Sequence, residues 1–77
     1  MTLEQQSAEA KSARLLDLYA RFISGQTLNK QDLASEYGVT TRSIQRDMES
    51  LRCFLMEKGL SQEIIYDRRH GGYRMVS

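Results

Sequence analysis

Between Leu33 and Asp47 the chain reads Leu33-Ala34-Ser35-Glu36-Tyr37-Gly38-Val39-Thr40-Thr41-Arg42-Ser43-Ile44-Gln45-Arg46-Asp47, which spells two short helices joined by a tight turn. Gly38 stands where the first helix must end, in the left-handed backbone region that glycine enters without a Cβ penalty. Thr40 is a good N-cap for the next helix, and Val39 before it with Ile44 after it form a hydrophobic staple. The first helix opens on the same device: Leu28 and Leu33 bracket an Asn29 cap, and Asp32 at the third helical position completes a capping-box-like pair. Ala34 lies where the two helices would cross, and only a small side chain lets their backbones approach. Both helix starts and the angle between the helices are therefore specified locally.

At about 100° per residue the second of these helices gathers Ile44, Met48, Leu51 and Leu55 on one stripe, with Phe54 at its edge. That stripe is a core face. The opposite face carries Arg42, Gln45, Arg46 and Glu49, with Thr41 and Ser43 on the flanks. Arginine can hold guanine through two parallel hydrogen bonds, glutamine can do the same for adenine, and hydroxyls reach phosphate oxygens or base edges. Thr40, Thr41, Arg42, Ser43, Gln45 and Arg46 are thus candidate contacts of a helix-turn-helix entering the major groove of double-stranded DNA. Asp47 would repel phosphate, so it is expected to pair with a nearby arginine or a backbone donor and to orient the helix.

Helix one is predicted from Ala8 to Ser24, with Leu15, Leu18, Tyr19 and Phe22 on one face, widened by Leu16 and Ile23 and closed by Ser24-Gly25. Helix two covers Lys30 to Tyr37, and helix three Thr41 to Lys58, where Gly59 supplies the stop. Residues 1–7 lack apolar periodicity and read as a flexible lead-in, although Thr2 and Gln5 have the spacing of a capping box. Residues 8–77 read as one domain. After Gly59 the period changes: Ile64 to Asp67 and Tyr73 to Val76 are rich in β-branched and aromatic residues, and Arg68-Arg69-His70-Gly71-Gly72 between them holds the glycines a hairpin turn requires. Tyr66 and Tyr73 are assigned to the hairpin core, and Arg68, Arg69 and His70 at its tip to phosphate contacts. The fold class is mainly α with a small β-hairpin: three helices and a two-stranded wing, a winged helix-turn-helix.

A chain of 77 residues, 40% apolar and without proline, makes one small helical domain whose core is near the minimum for stability. A net charge of +1 argues against a general polyanion binder. The cations are nonetheless concentrated after Val39, at Arg42, Arg46, Arg52, Lys58, Arg68, Arg69 and Arg74, and a weakly charged domain binds DNA if its cations share a face. One cysteine and one histidine exclude an internal disulfide and a metal cluster. Cys53 falls on the outward side of helix three and carries no assigned chemistry. No nucleophile is paired with a base, no carboxylates are paired and no glycine loop cradles a phosphate, so neither catalysis nor a cofactor is expected. With no apolar run of membrane-spanning length and no secretory signal, the expected compartment is the cytoplasm.

At Thr41-Arg42-Ser43-Ile44-Gln45-Arg46-Asp47, then Tyr66-Asp67 and Gly71-Gly72-Tyr73-Arg74, the chain resembles the N-terminal winged helix-turn-helix domain of bacterial WYL-domain transcriptional regulators and, more distantly, DeoR-type repressors. The likeness covers about Ala13 to Val76. It implies a transcription factor whose helix three reads an operator, with Thr41, Arg42, Ser43, Gln45 and Arg46 carried over on that helix and Arg68 and Arg69 on the wing. Members of that family usually continue into a C-terminal region that senses a ligand and helps the protein dimerise. A fragment of a longer regulator is accordingly expected ahead of a stand-alone one. No segment has the sustained heptads of a zipper, so the choice between monomer and homodimer stays open, with the N-terminal helix a place where a partner could pair. The competing reading is a protein-docking module that does not bind DNA, which would need an exposed apolar patch or an acidic recognition face.

Overall fold

The computed structural model describes the backbone from Leu3 to Ser77 and the side chains from Ala10 onward. Its elements are α1 (Leu3–Ile23), α2 (Lys30–Tyr37), α3 (Thr41–Glu57), β1 (Glu63–Asp67) and β2 (Gly72–Val76). The α1 helix begins ahead of Ala8, where apolar periodicity starts. Glu4, Gln5, Gln6, Ala8, Glu9 and Ala10 are all good helix formers, so propensity extends the helix where no core face exists. Thr2 of the expected capping box lies outside the described residues.

Both caps of the central motif form. The Asn29 side chain accepts from the N–H groups of Gln31 and Asp32, and Thr40 Oγ1 accepts from Ser43 N–H at 3.1 Å. Gly38 adopts φ 68°, and the N–H of Val39 returns to the Ala34 carbonyl at 2.9 Å, closing α2. One half of the expected box at α2 is rearranged. Among the described residues the Asp32 carboxylate accepts no return bond from the Asn29 backbone N–H, while the Asn29 side-chain amide donates to the Gly71 carbonyl at 3.2 Å.

The core joins Leu18 and Phe22 of α1, Leu28, Leu33 and Ala34, and the stripe Ile44, Met48, Leu51 and Leu55 of α3, with Ile64 of β1 closing it. The α3 stripe is the one expected. The α1 face is narrower than expected: Leu15 and Tyr19 are half-buried at its margins, while Leu16 and Ile23 are 72% and 53% exposed. α3 and β2 pack on the same side of α1, which leaves the opposite side of the helix uncovered.

Asp47 is fully buried, and both its oxygens are taken by Arg14 of α1, Nη2 at 3.2 Å and Nε closer, with Lys11 Nζ 3.9 Å away. The expected arginine partner therefore comes from another helix. The carboxylate in turn holds the Arg14 guanidinium above its ordinary pKa, chiefly through the hydrogen bond. At the other end of α1, Arg21 pairs with Glu36 and donates to Tyr37 Oη at 3.2 Å, and the Tyr37 hydroxyl donates to Asp17. Burial raises the Tyr37 pKa, with the Asp17 contact adding to it.

The hairpin is antiparallel, with Tyr66 opposite Tyr73. Tyr73 also exchanges both backbone hydrogen bonds with Leu28, at 2.6 and 2.7 Å, so the stretch before α2 adds a one-residue third strand. Because the N–H and C=O of Tyr73 face Leu28, the Tyr66–Tyr73 pair is a non-hydrogen-bonded one, the kind that brings side chains closest. The two rings meet edge to face with centroids 5.0 Å apart. Arg52 of α3 clamps the far end of β1, donating to the Ile64 carbonyl from Nε at 3.2 Å and Nη2 at 3.1 Å. Three helices and a docked two-stranded wing make this a winged helix-turn-helix.

The two adjacent wing glycines serve different ends. Gly71 takes φ 66° at the turn, whereas Gly72 is a strand residue against which the Leu28 backbone lies so close that a Cβ would stand 2.7 Å from the Leu28 carbonyl oxygen. Gly72→Ala is expected to cost roughly 2 kcal/mol by forcing that bridge apart, read as a lowered urea midpoint with loss of amide protection at Leu28. Arg14→Met leaves a buried carboxylate without its main partner and should cost about 3 kcal/mol. The Arg14→Met/Asp47→Leu double variant, which removes both charges, should recover most of that loss in the same urea titration.

Candidate nucleic-acid interface

Four elements bring the polar face together. The α2 N-terminus lies between the wing and α3: Asn29 donates to Gly71 at the wing tip, and Lys30 Nζ donates to Gln45 Oε1 of α3 at 3.0 Å. The same ammonium lies 5.7 Å from the centroid of the Tyr73 ring, within cation–π range. The turn Gly38-Val39-Thr40 and the buried Asp47 then set which way α3 faces. With Asp47 turned inward, Arg46 next to it and Arg42 one turn earlier are turned out, and both are exposed.

Arg42 and Arg46 form no ion pair or hydrogen bond among the described residues, and Thr41 beside them is exposed. Such uncommitted guanidiniums are the groups able to take up phosphate or guanine. The other candidates on α3 are partly engaged. Thr40 Oγ1 is used as the cap and donates to Ser43 Oγ at 3.1 Å, and Ser43 is half-buried. Gln45, expected to be free for base contact, is half-buried, its carbonyl held by Lys30 and its amide 3.5 Å from Glu49. Arg46 also borders a shallow groove between α1 and α3, together with Lys11 and Ser43.

At the wing tip Arg68, Arg69 and His70 are all exposed. His70 is not independent of its neighbours: its Nδ1 lies 2.8 Å from Asp67 Oδ2, which also accepts from Arg74 Nε at 2.7 Å, while Asp67 Oδ1 accepts from the Arg69 N–H at 2.9 Å. These contacts, the His70 hydrogen bond first, hold the Asp67 carboxyl at about 2. Asp67 is thus the tip's organiser, absorbing one arginine and the histidine and leaving the side chains of Arg68 and Arg69 outward.

Tyr66, assigned to the hairpin core, is 53% exposed: it shares the inward face of the strand with Ile64, but at the tip end the wing overhangs the helices. With Tyr73, Asn29, Lys30 and Gln31 it lines a shallow depression at the start of α2. Lys30 and Tyr66 are the members of this face that reading the sequence missed. A signal existed for Lys30, because a lysine at the first position of a helix opposes the helix dipole, so local preference does not account for it.

A protein-family model described as an HTH domain matches residues 14–74, most of the chain. The chain belongs to the HTH domain family. No curated protein and no solved structure matches it significantly. Membership makes DNA the partner to consider for this HTH domain, in a family of DNA-binding rather than enzymatic type. The matched range begins at Arg14, the partner of Asp47, and ends at Arg74, the partner of Asp67, so the Arg14–Asp47, Arg21–Glu36 and Arg74–Asp67 pairs all fall inside it. Among the described residues no group of side chains could hold a metal ion, and no helix is long and apolar enough to cross a membrane.

Because the Asp67 pKa is depressed in the folded wing, its contribution is present above the unfolded value of about 4 and is lost as pH falls towards 2. The backbone amides of Arg69 and His70, followed by NMR, should therefore lose protection over that window before the helices melt. In Asp67→Asn their protection should be low and flat across it.

Proposed function

We propose that this HTH domain binds double-stranded DNA sequence-specifically as part of a bacterial transcriptional regulator, with α3 in the major groove and the β1–β2 wing on the flanking backbone or minor groove. The observation that carries the reading is the pair of exposed arginines on α3, Arg42 and Arg46, neither of them ion-paired among the described residues, on a face tied through Lys30 and Asn29 to a wing tip that presents Arg68 and Arg69. In this reading Arg46 and Arg42 take base edges, and Thr41, Arg68, Arg69 and the outer edge of His70 take phosphates. Thr40 and Ser43 act mainly by setting the helix start, and Gln45 reads a base on exchanging Lys30 for it.

The resemblance to WYL-domain regulators supports a finer version: a cytoplasmic regulator whose C-terminal ligand-sensing region follows this domain, and whose two copies occupy half-sites about 34 Å apart or a multiple of that. The docking-module alternative needs an exposed apolar patch or an acidic recognition face; the outward face of α3 at Arg42 and Arg46 is neither, and the exposed Leu16 and Ile23 lie away from it on α1.

Selection of bound sequences from a random duplex library at near-physiological salt tests this. A motif of a few base pairs should emerge and be lost in the Arg42→Ala/Arg46→Ala double variant; no enrichment, or enrichment unchanged in that variant, would sink the assignment. On the selected duplex Arg46→Ala should cost about 1 to 3 kcal/mol and relax one base position. With about five phosphates engaged, log affinity should fall against log salt with a slope of about -4 to -5.

A further inference from the structure

The polar face of α3 has two flanks. At about 100° per residue, Thr41 and Gln45 lie on one side of the Arg42–Arg46 ridge, and Ser43 and Asp47 on the other. The first flank meets α2 and the wing through Lys30. The second faces α1, and a groove between the two helices is lined there by Lys11, Arg14, Ser43, Arg46 and Asp47.

Three of these groups are cations and one is a carboxylate, and the carboxylate is already satisfied, because Arg14 takes both Asp47 oxygens. Lys11 Nζ stands 3.9 Å from Asp47 Oδ1, beyond hydrogen-bond distance, on a side chain that is 44% exposed. Arg46 is exposed and enters no ion pair among the described residues. Ser43 adds a neutral donor: its Oγ accepts the Thr40 hydroxyl proton at 3.1 Å, which leaves its own proton to give. An ammonium, a guanidinium and a hydroxyl thus converge on a groove with an excess of positive charge. Its volume is about 340 Å³, room for a phosphate group and several waters of about 30 Å³ each.

We infer that this groove seats a phosphate group. On the DNA-binding reading above, which this placement rests on, the phosphate belongs to the backbone strand on the side of α3 away from the wing. The major groove is about 12 Å wide and bordered by both strands, so a helix lying in it has a backbone on each flank. The phosphate contacts proposed at Thr41, Arg68, Arg69 and His70 all belong to the wing flank. Lys11 serves the other. Lys11 and Ser43 hold the phosphate, and Arg46 at the rim adds its charge while its guanidinium reaches for bases.

Two experiments test the seat, and the first needs no DNA. Inorganic phosphate titrated into the isotope-labelled whole chain at constant ionic strength should shift the NMR amide signals of Ser43 and Arg46 saturably, in the millimolar range, where chloride does not. The shifts should vanish in Lys11→Gln and persist in Lys11→Arg, with melting unchanged in both because Arg14 still holds Asp47. The second experiment uses the duplex recovered by selection. One lost phosphate contact makes Lys11→Gln bind it about fivefold more weakly near about 0.15 M salt, with a salt slope shallower by about 1 and the same preferred sequence. Absence of saturable phosphate shifts overturns the seat, and a changed sequence preference makes Lys11 a base contact and overturns it too. A seat that fills while duplex affinity and slope are unchanged in Lys11→Gln belongs to a free phosphate-bearing molecule, which rejects the backbone strand. If the seat fills and no duplex is selected, the DNA-binding reading falls and the seat stands.

Discussion

A buried carboxylate fixes the roll of α3. Asp47 has no solvent and two hydrogen bonds from Arg14, so rotating the helix about its axis would strip a charge of its partner in a region where water cannot replace it. A hydrophobic stripe alone tolerates some rotation, since Ile44, Met48, Leu51 and Leu55 can slide on an apolar surface. The ion pair does not tolerate it. It also makes α1 more than a cover for the core: the helix that supplies Arg14 is the helix against which the polar face is aimed. Arg21, Glu36, Tyr37 and Asp17 form a second tie between α1 and the end of α2. The turn at Gly38 is thus braced from behind.

What could be read from residues in order was what depends on near neighbours. The limits of α2, the Asn29 and Thr40 caps, the left-handed Gly38 and the α3 stripe are all set within a few residues, and each stands as expected. Two failures are local, the Asp32 half of the α2 capping box and the start of α1 ahead of Ala8; the others are non-local. Leu16 and Ile23 have the right type for the core, but which apolar residues of α1 find a partner depends on how many elements pack on it. Gly72 looked like a second turn glycine, yet its reason is the Leu28 backbone pressed against it. The need for an Asp47 partner was legible from its place on the wheel; that the partner is Arg14 was not, because nothing in the order of residues says which turn of α1 faces α3.

The candidate contacts divide in the same way. Arg42 and Arg46 could be read as outward from helical period alone. Gln45 shares that helix face and His70 an exposed wing tip, but each is engaged by another group, Lys30 from α2 for one and Asp67 at the end of β1 for the other. Position on a wheel tells which way a side chain leaves the backbone. Availability depends on what stands opposite.

The bridge between Leu28 and Tyr73 joins residues far apart in the chain, and the helices α2 and α3 between them are built from local contacts. Closing a long loop is entropically the slowest kind of step, while helices and their short turns form early. The three-helix unit should then assemble first and the wing zip on last, with Tyr73 as the seam. The two halves of the polar face are accordingly separable in time: a helix held rigid by a buried charge, and an arm that joins the helices through the Leu28–Tyr73 backbone pair, the Arg52 clamp on Ile64 and the buried Ile64 side chain.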